Sequence, residues 1–321
     1  MNDGQMTYVK KASIYSNEVI SSMRAYLEEK LAGRDDICIV LVGSFARREA
    51  SKESDLDFFV LSRCKSGDGL NEIGNEIKLL MEQKAAVLEI RMPAQDGAFA
   101  VCVTADSVDG VIGGLGDAND KLTRRMLFLL ESEWLYNEDF YENKFDELMG
   151  RYIKDSITEH QLSKFFLNDV IRYYRTICVD FDYKTGSIKK SWGDRNIKLL
   201  FSRKMLYFSG IVAAAETAQR TPSSKRKVLK NLLRKCPLER VAFICGDIAT
   251  RRAFRYYDDF LGKLSNPSFR ELLVSTAEDR ETQGEEFRAL KDDGHHFSWE
   301  LANLLRSTYD SSHPIHHALC F

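Results

Sequence analysis

The chain has 321 residues, with 46 Lys plus Arg against 48 Asp plus Glu and a formal net charge of −2. That length can bury a substantial core and has room for two domains, while the near balance of charge excludes a general polyanion binder. No stretch approaches the run of about eighteen apolar residues that a membrane span needs, and the N-terminus lacks a long apolar signal core, so no membrane association and a cytoplasmic location are expected. The seven cysteines are scattered and odd in number, several inside apolar runs and none in Cys-x-x-Cys spacing. They read as buried free thiols rather than as a zinc site or disulfide framework.

Residues 1–9 read as a loosely attached end. Ile14, Val19, Met23, Tyr26 and Leu27 recur near helical period and predict a helix over Ala12–Leu31, with Gly33 as the stop. The apolar run Ile37–Val42 predicts a central strand, and Asp57–Leu61 a second. Ile73, Ile77, Leu80 and Met81 place a helix over Leu70–Lys84. Val87-Leu88-Glu89-Ile90 reads as a third strand and Phe99–Val103 as the next. The glycine-rich stretch Gly110–Gly116 lacks the Gly-Lys-Ser/Thr ending of a Walker loop and reads as a connecting turn. From Asn119 the period is helical again, with Trp134-Leu135 closing the helix.

The most informative segment lies between the first two strands. The first ends in Gly43-Ser44, and eleven residues after Ser44 an Asp-x-Asp, Asp55-Leu56-Asp57, opens the second. Side chains two apart on a strand share a face, so the two carboxylates sit side by side, where they repel unless a cation lies between them. Mg²⁺ is the simplest such cation, being hard, oxygen-seeking and used to bridge carboxylates to phosphates. Gly43 can take backbone angles closed to other residues and lets a phosphate approach the chain. Ser44 adds a hydroxyl at a helix start, where unpaired N–H groups favour anions. The plainer reading is a turn followed by a solvated strand start; the Gly-Ser, the interval and the flanking strands together argue against it. Arg47, Arg48 and Lys52 read as solvated charges, with phosphate attraction as the alternative.

Over residues 37–61 this pattern resembles the active-site signature of the DNA polymerase beta-like nucleotidyltransferase superfamily. The resemblance implies that Gly43 and Ser44 hold the phosphates of a nucleoside triphosphate such as ATP and that Asp55 and Asp57 bind Mg²⁺ or Mn²⁺. It also implies a third metal-binding carboxylate from a later strand. Glu89, inside the apolar run 87–90, is the first candidate, with Asp96 and Asp106 as alternatives. The implied fold is α+β: a small mixed β-sheet catalytic domain with helices over 1–140, followed by a mostly helical domain over 141–321. The implied activity is transfer of a nucleoside monophosphate to a hydroxyl acceptor on a protein, an RNA or a small molecule, with release of pyrophosphate. A catalytically degenerate module of the same fold, binding nucleic acid or protein, is the rival from another class, and phosphohydrolysis at the same centre a further one.

Beyond Tyr141, helical periods run over about 144–153, 158–179, 193–219, 225–233, 238–262, 266–276 and 298–309. Between Lys184 and Lys235 there are fourteen Lys or Arg and two acidic residues. Arg172 on one helix, and Arg195 and Lys198 on the next, are the cations expected to meet the triphosphate and its leaving group, as a helical domain does in the superfamily. The second basic group, Arg220 to Lys235, is a candidate contact for nucleic-acid phosphates or an ordinary surface patch. Tyr256-Tyr257 and similar aromatic pairs are expected to join core faces rather than to form a stacking platform. His295, His296, His313, His316 and His317 read as packing or exposed residues and not as a metal set.

Overall fold

The computed structural model describes residues 6–65, 67–93, 99–188, 191–279 and 281–320, and it forms two compact units. Lys11–Lys154 make one; the chain from Asp155 onward, with the residues before Lys11, makes the other. Asp96 falls outside the described residues.

The first unit runs α1 (Thr7–Lys30), β1 (Ile37–Leu41), α2 (Gly43–Ala46), β2 (Phe58–Ser62), α3 (Gly67–Val87), β3 (Val101–Thr104), α4 (Asp106–Asp109), α5 (Asn119–Glu131), β4 (Glu133–Tyr136) and α6 (Glu138–Tyr152). The four strands form one mixed sheet in the order β3-β2-β1-β4. β1 is antiparallel to β2, with Leu41 opposite Phe58 and Ile37 opposite Ser62, and antiparallel to β4 across an irregularity between Ile39 and Val40. β3 is parallel to β2, with Phe59 beside Val101.

Both faces of the sheet are covered, which is why β1 and β2 are apolar without alternation. Ile37, Ile39, Leu41, Phe58 and Val60 join Met23 and Leu27 of α1, Ile77 and Met81 of α3 and Leu135 of β4 in one core. By the two-residue period of a strand, Cys38, Val40, Phe59 and Leu61 point the other way, and all four are buried. β1 packs there against α6, and the rings of Phe128, Tyr141 and Phe145 meet at 4.9–5.2 Å in the same unit. Leu56 belongs to the first core, so its flanking residues Asp55 and Asp57 are carried to the opposite side.

Two expected elements differ. Residues 87–90 are not a strand: α3 runs on to Val87 and Glu89 takes φ 54 in the turn that follows. Leu88 N–H still donates to Lys84 O in the helical pattern, and Ile90 N–H then folds back to Ala85 O and closes the helix end, with Ala85 and Ile90 buried and Glu89 exposed. Trp134-Leu135 do not close a helix either. α5 stops at Glu131, and these residues form edge strand β4. Their aromatic and apolar character suits a pleated surface as well as a helix, so periodicity alone did not separate the two.

The second unit comprises α7 (Lys164–Gly186), α8 (Trp192–Lys198), a π-helical turn (Leu199–Arg203), α9 (Lys204–Ala215), α10 (Pro222–Leu233), α11 (Pro237–Cys245), α12 (Asp247–Leu264), α13 (Pro267–Ser275), α14 (Glu285–Thr308) and α15 (Pro314–Ala318). α9 is its centre. Every residue from Ser209 to Ala215 is buried, as befits a helix that is apolar on all sides. The expected single helix over 238–262 is two, because Gly246 at φ 86 breaks it, a conformation that glycine adopts without steric cost. Among the described residues no helix is long and apolar enough to cross a membrane.

Candidate active site

β1 delivers the chain into a left-handed turn at Gly43, φ 72. A side chain here would be strained by its backbone and would also collide: a Cβ on Gly43 would stand 2.7 Å from Asp57 Oδ2. The absent side chain therefore makes the space that the Asp57 carboxylate occupies. The backbones are locked together as well, Val42 N–H donating to Asp57 O at 2.9 Å. This single crossing brings the Gly-Ser turn and the second aspartate into contact. Ser44 follows at the start of α2 and is half-buried, as is Asp57.

Asp55 lies two residues earlier and is exposed. Its backbone forms a parallel bridge with Arg91, and Leu56 N–H donates to Arg91 O at 2.8 Å. The Arg91 guanidinium is held by Glu53 at 2.6 Å. Leu56 is anchored in the core, and the alternation of an extended chain turns its neighbours Asp55 and Asp57 away from that core.

The third carboxylate is not gathered with them. Among the described residues no group of three or more His, Cys, Asp or Glu is placed to hold a metal ion. Glu89 stands in the turn after α3 rather than on a strand beside β2. Asp106 begins α4, past Thr104, which pairs with Ser62 at the far end of β2. At about 3.3 Å per residue, that end is roughly 13 Å from Phe58. The described part of β3, Val101–Thr104, contributes no acid.

Sequence reasoning missed what fixes the Gly-Ser turn. Arg47 is buried, its Nε donating to Glu49 at 2.8 Å and its Nη1 to Glu131 at the end of α5. Arg48, at φ 63, donates to Glu133 of β4 at 2.7 Å. Glu133 also receives Arg24 of α1 at 2.8 Å, and that guanidinium lies 3.5 Å over the Trp134 ring. Arg47 and Arg48 are thus structural cations that tie α2 to α5, β4 and α1, not solvated charges. The only sequence signal was a glutamate ending the apolar run Met126–Leu130 at Glu131, a position where burial demands a partner.

Two cysteines of the sheet, Cys38 and Cys102, are poor rival nucleophiles. All seven are free thiols; burial pushes the Cys38 thiol far up and the Cys102 thiol to about 11, so neither supplies thiolate near neutrality.

The helical-unit cations are distributed as follows. Arg172 on α7 donates to Asp169 at 3.2 Å, and Lys198 on α8 to Asp194 at 2.9 Å. Arg195 on α8 is half-buried and makes no ion pair among the described residues. The Arg220–Lys235 cluster is largely engaged. Lys225 is fully buried and donates to the carbonyls of Glu159, Gln161 and Thr217 at 2.6–2.9 Å. Arg226 pairs with Asp155 and Lys235 with Glu239, while Lys227 is exposed.

In comparisons with known proteins, no curated protein matches the chain. A family model does match, that of the nucleotidyltransferase domain, over residues 20–97. That interval contains β1, Gly43-Ser44, Asp55 and Asp57. The contact between a strand-end glycine and the second aspartate, the mixed sheet that creates it and the family match agree: residues 20–97 carry a nucleotidyltransferase domain, consistent with the DNA polymerase beta-like superfamily.

Proposed function

We propose that the protein is an Mg²⁺-dependent nucleotidyltransferase that moves a nucleoside monophosphate from a nucleoside triphosphate, such as ATP, to a hydroxyl acceptor. The observation that carries this reading is the contact of the Asp57 carboxylate with the side-chain-free surface of Gly43. Two carboxylates on one side of a strand suit Mg²⁺, which takes one or two protein carboxylates together with substrate phosphates. Mn²⁺ fits the same oxygen donors. Asp55 and Asp57 would hold the ion, which when bound supplies charge neutralisation at the phosphates and lowers the pKa of a coordinated hydroxyl.

The chain's own residues do the rest by positioning. The Gly43 backbone gives a phosphate a close approach, and Ser44 offers its hydroxyl and N–H. The acceptor oxygen bonds to the α-phosphorus as the bond to the β-phosphate oxygen breaks; the hydroxyl proton leaves and pyrophosphate departs. Such a reaction asks mainly for alignment and charge stabilisation. The superfamily resemblance gives Arg172, Arg195 and Lys198 the triphosphate as their ligand. A cytoplasmic setting belongs to the same reading and is supported by seven free thiols. The acceptor is a hydroxyl of a protein, an RNA or a small molecule.

One observation favours a second reading, a degenerate nucleotidyltransferase-fold module that binds nucleic acid or protein: the absence of a third acid beside the pair among the described residues. The test separates the two. The protein is incubated with each α-labelled nucleoside triphosphate, Mg²⁺ and a cell extract, and the experiment is repeated with Asp55→Ala and Asp57→Ala. Label that moves to one acceptor only with the unaltered protein supports transfer. Nucleotide binding without transfer in any fraction supports the module.

A further inference from the structure

The helical unit contains a cavity of about 490 Å³ whose lining includes Arg251, Arg252, Arg255 and Tyr256 together with two carboxylates, Asp247 and Glu300, all far along the chain from the nucleotidyltransferase signature. Its size is that of a small-molecule site. The three arginines project from α12, exposed, and among the described residues none of them makes an ion pair or hydrogen bond. This is unusual in a chain whose other cations are mostly engaged. Arg47, Lys225 and Arg240 are buried and bonded, and Arg34, Arg48, Arg172 and Lys198 sit on carboxylates. Three guanidinium groups held within one turn and a half of helix repel each other and are relieved by an anion that accepts from several at once.

The cavity offers more than charge. Tyr256 is half-buried beside the arginines, and its ring lies parallel to that of His296 on α14, with centroids 5.9 Å apart and planes 15° apart. Its neighbour Tyr257 is turned fully into the core, so this aromatic pair spans core and surface. Of these rings Tyr256 lines the cavity, and a flat ring beside unpaired arginines is an element on which a base stacks while its phosphates are held. The Asp247 and Glu300 carboxylates of the lining accept hydrogen bonds only, so they oppose a bare polyphosphate but suit a ligand that presents hydroxyl or amino donors next to its phosphates.

We propose that this cavity is a second, metal-independent site for a phosphorylated ribonucleotide, either free or at the 5′ end of an RNA. Phosphates lie on Arg251, Arg252 and Arg255, the base against the Tyr256 ring, and a ribose hydroxyl or base amino group on Glu300. The site does not depend on the reaction proposed at Asp55 and Asp57.

The test uses the full chain carrying Asp55→Ala and Asp57→Ala, in EDTA, so that metal-dependent binding at the first site is removed. Radiolabelled ATP and a short 5′-triphosphorylated RNA are the two probes in equilibrium dialysis, with inorganic tripolyphosphate as competitor. Saturable binding of either probe is expected, and the tighter one identifies the source of the nucleotide. Adding Arg251→Ala and Arg255→Ala should weaken it roughly tenfold or more for each arginine, the value of one charge-assisted hydrogen bond. Tyr256→Leu should weaken both probes without affecting tripolyphosphate, and Glu300→Gln should reduce the preference for ATP over dATP. Three results overturn the proposal: neither probe binds; binding is unchanged in arginine variants that melt like the parent; or tripolyphosphate competes as well as ATP.

Discussion

Gly43 and Asp57 occupy one space. The glycine's backbone stands at φ 72, and a methyl group on it would lie 2.7 Å from the aspartate's Oδ2. Gly43→Ala therefore carries two costs: about 1–2 kcal/mol for an L-residue in the left-handed region, and a displacement of Asp57. Denaturant unfolding should show the first. The second should appear as a loss of nucleotidyl transfer well beyond the fraction of protein unfolded, measured on material at a temperature where the variant is fully folded.

The charge cluster under the Gly-Ser turn is a stability element. Arg47→Met would leave Glu49 and Glu131 buried without their cation, and removing one partner of such a set costs about 3–5 kcal/mol. Replacing an exposed charge in the same segment, Lys52→Met, should stay within about 0.5 kcal/mol. Urea midpoints of the two variants check both values.

Lys225 separates a basic patch from a structural lysine. Its ammonium satisfies three backbone carbonyls, and Lys225→Met strands them. At about 1 kcal/mol or more for each buried group left without a partner, the loss should be near 3 kcal/mol. Lys227→Ala, on the exposed side of α10, should leave the melting temperature unchanged.

The start of β1 should respond to pH. Arg34 grips Asp36 through two bonds at 2.7 and 3.0 Å, and this hydrogen bonding holds the Asp36 carboxyl below its ordinary value of 3.8. A depressed folded-state pKa stabilises above the unfolded value, and the contribution disappears as pH falls through the folded one. The pair is partly exposed, so the effect is modest, about 0.5 kcal/mol. Asp36→Asn should lower stability by that amount at pH 6, and its difference from the parent should shrink as pH falls below 3.8 toward the depressed folded-state value, read from unfolding curves across that range.

How much of this was legible in the sequence depends on whether the information was local. The strands at 37–41 and 58–62, the Gly-Ser turn and the aspartates two apart were readable because apolar runs and turn residues report their own conformation. The same holds for α1, α3 and most helices after residue 141, although Gly246 divided one that periodicity had joined. The run 87–90 misled because four apolar-rich residues suit the end of a buried helix as well as a strand. Edge strand β4 was hidden for the same reason. Arg47 and Lys225 were misread as solvent-facing because their partners, Glu131 and three backbone carbonyls, are distant in the chain. The three arginines of α12 span about a turn and a half of ordinary helix in sequence, and only the packing of α12 on α14 sets them beside a ring pair.

The central claim is that Asp55 and Asp57 together grip a divalent cation at the nucleotide's phosphates. Electron paramagnetic resonance of Mn²⁺, titrated into the protein with a non-hydrolysable nucleoside triphosphate, tests it without knowledge of the acceptor. The account predicts protein-bound Mn²⁺ whose signal is lost in Asp55→Asn and Asp57→Asn but kept in Glu89→Gln. Equal Mn²⁺ binding by the unaltered protein and both aspartate variants would contradict it.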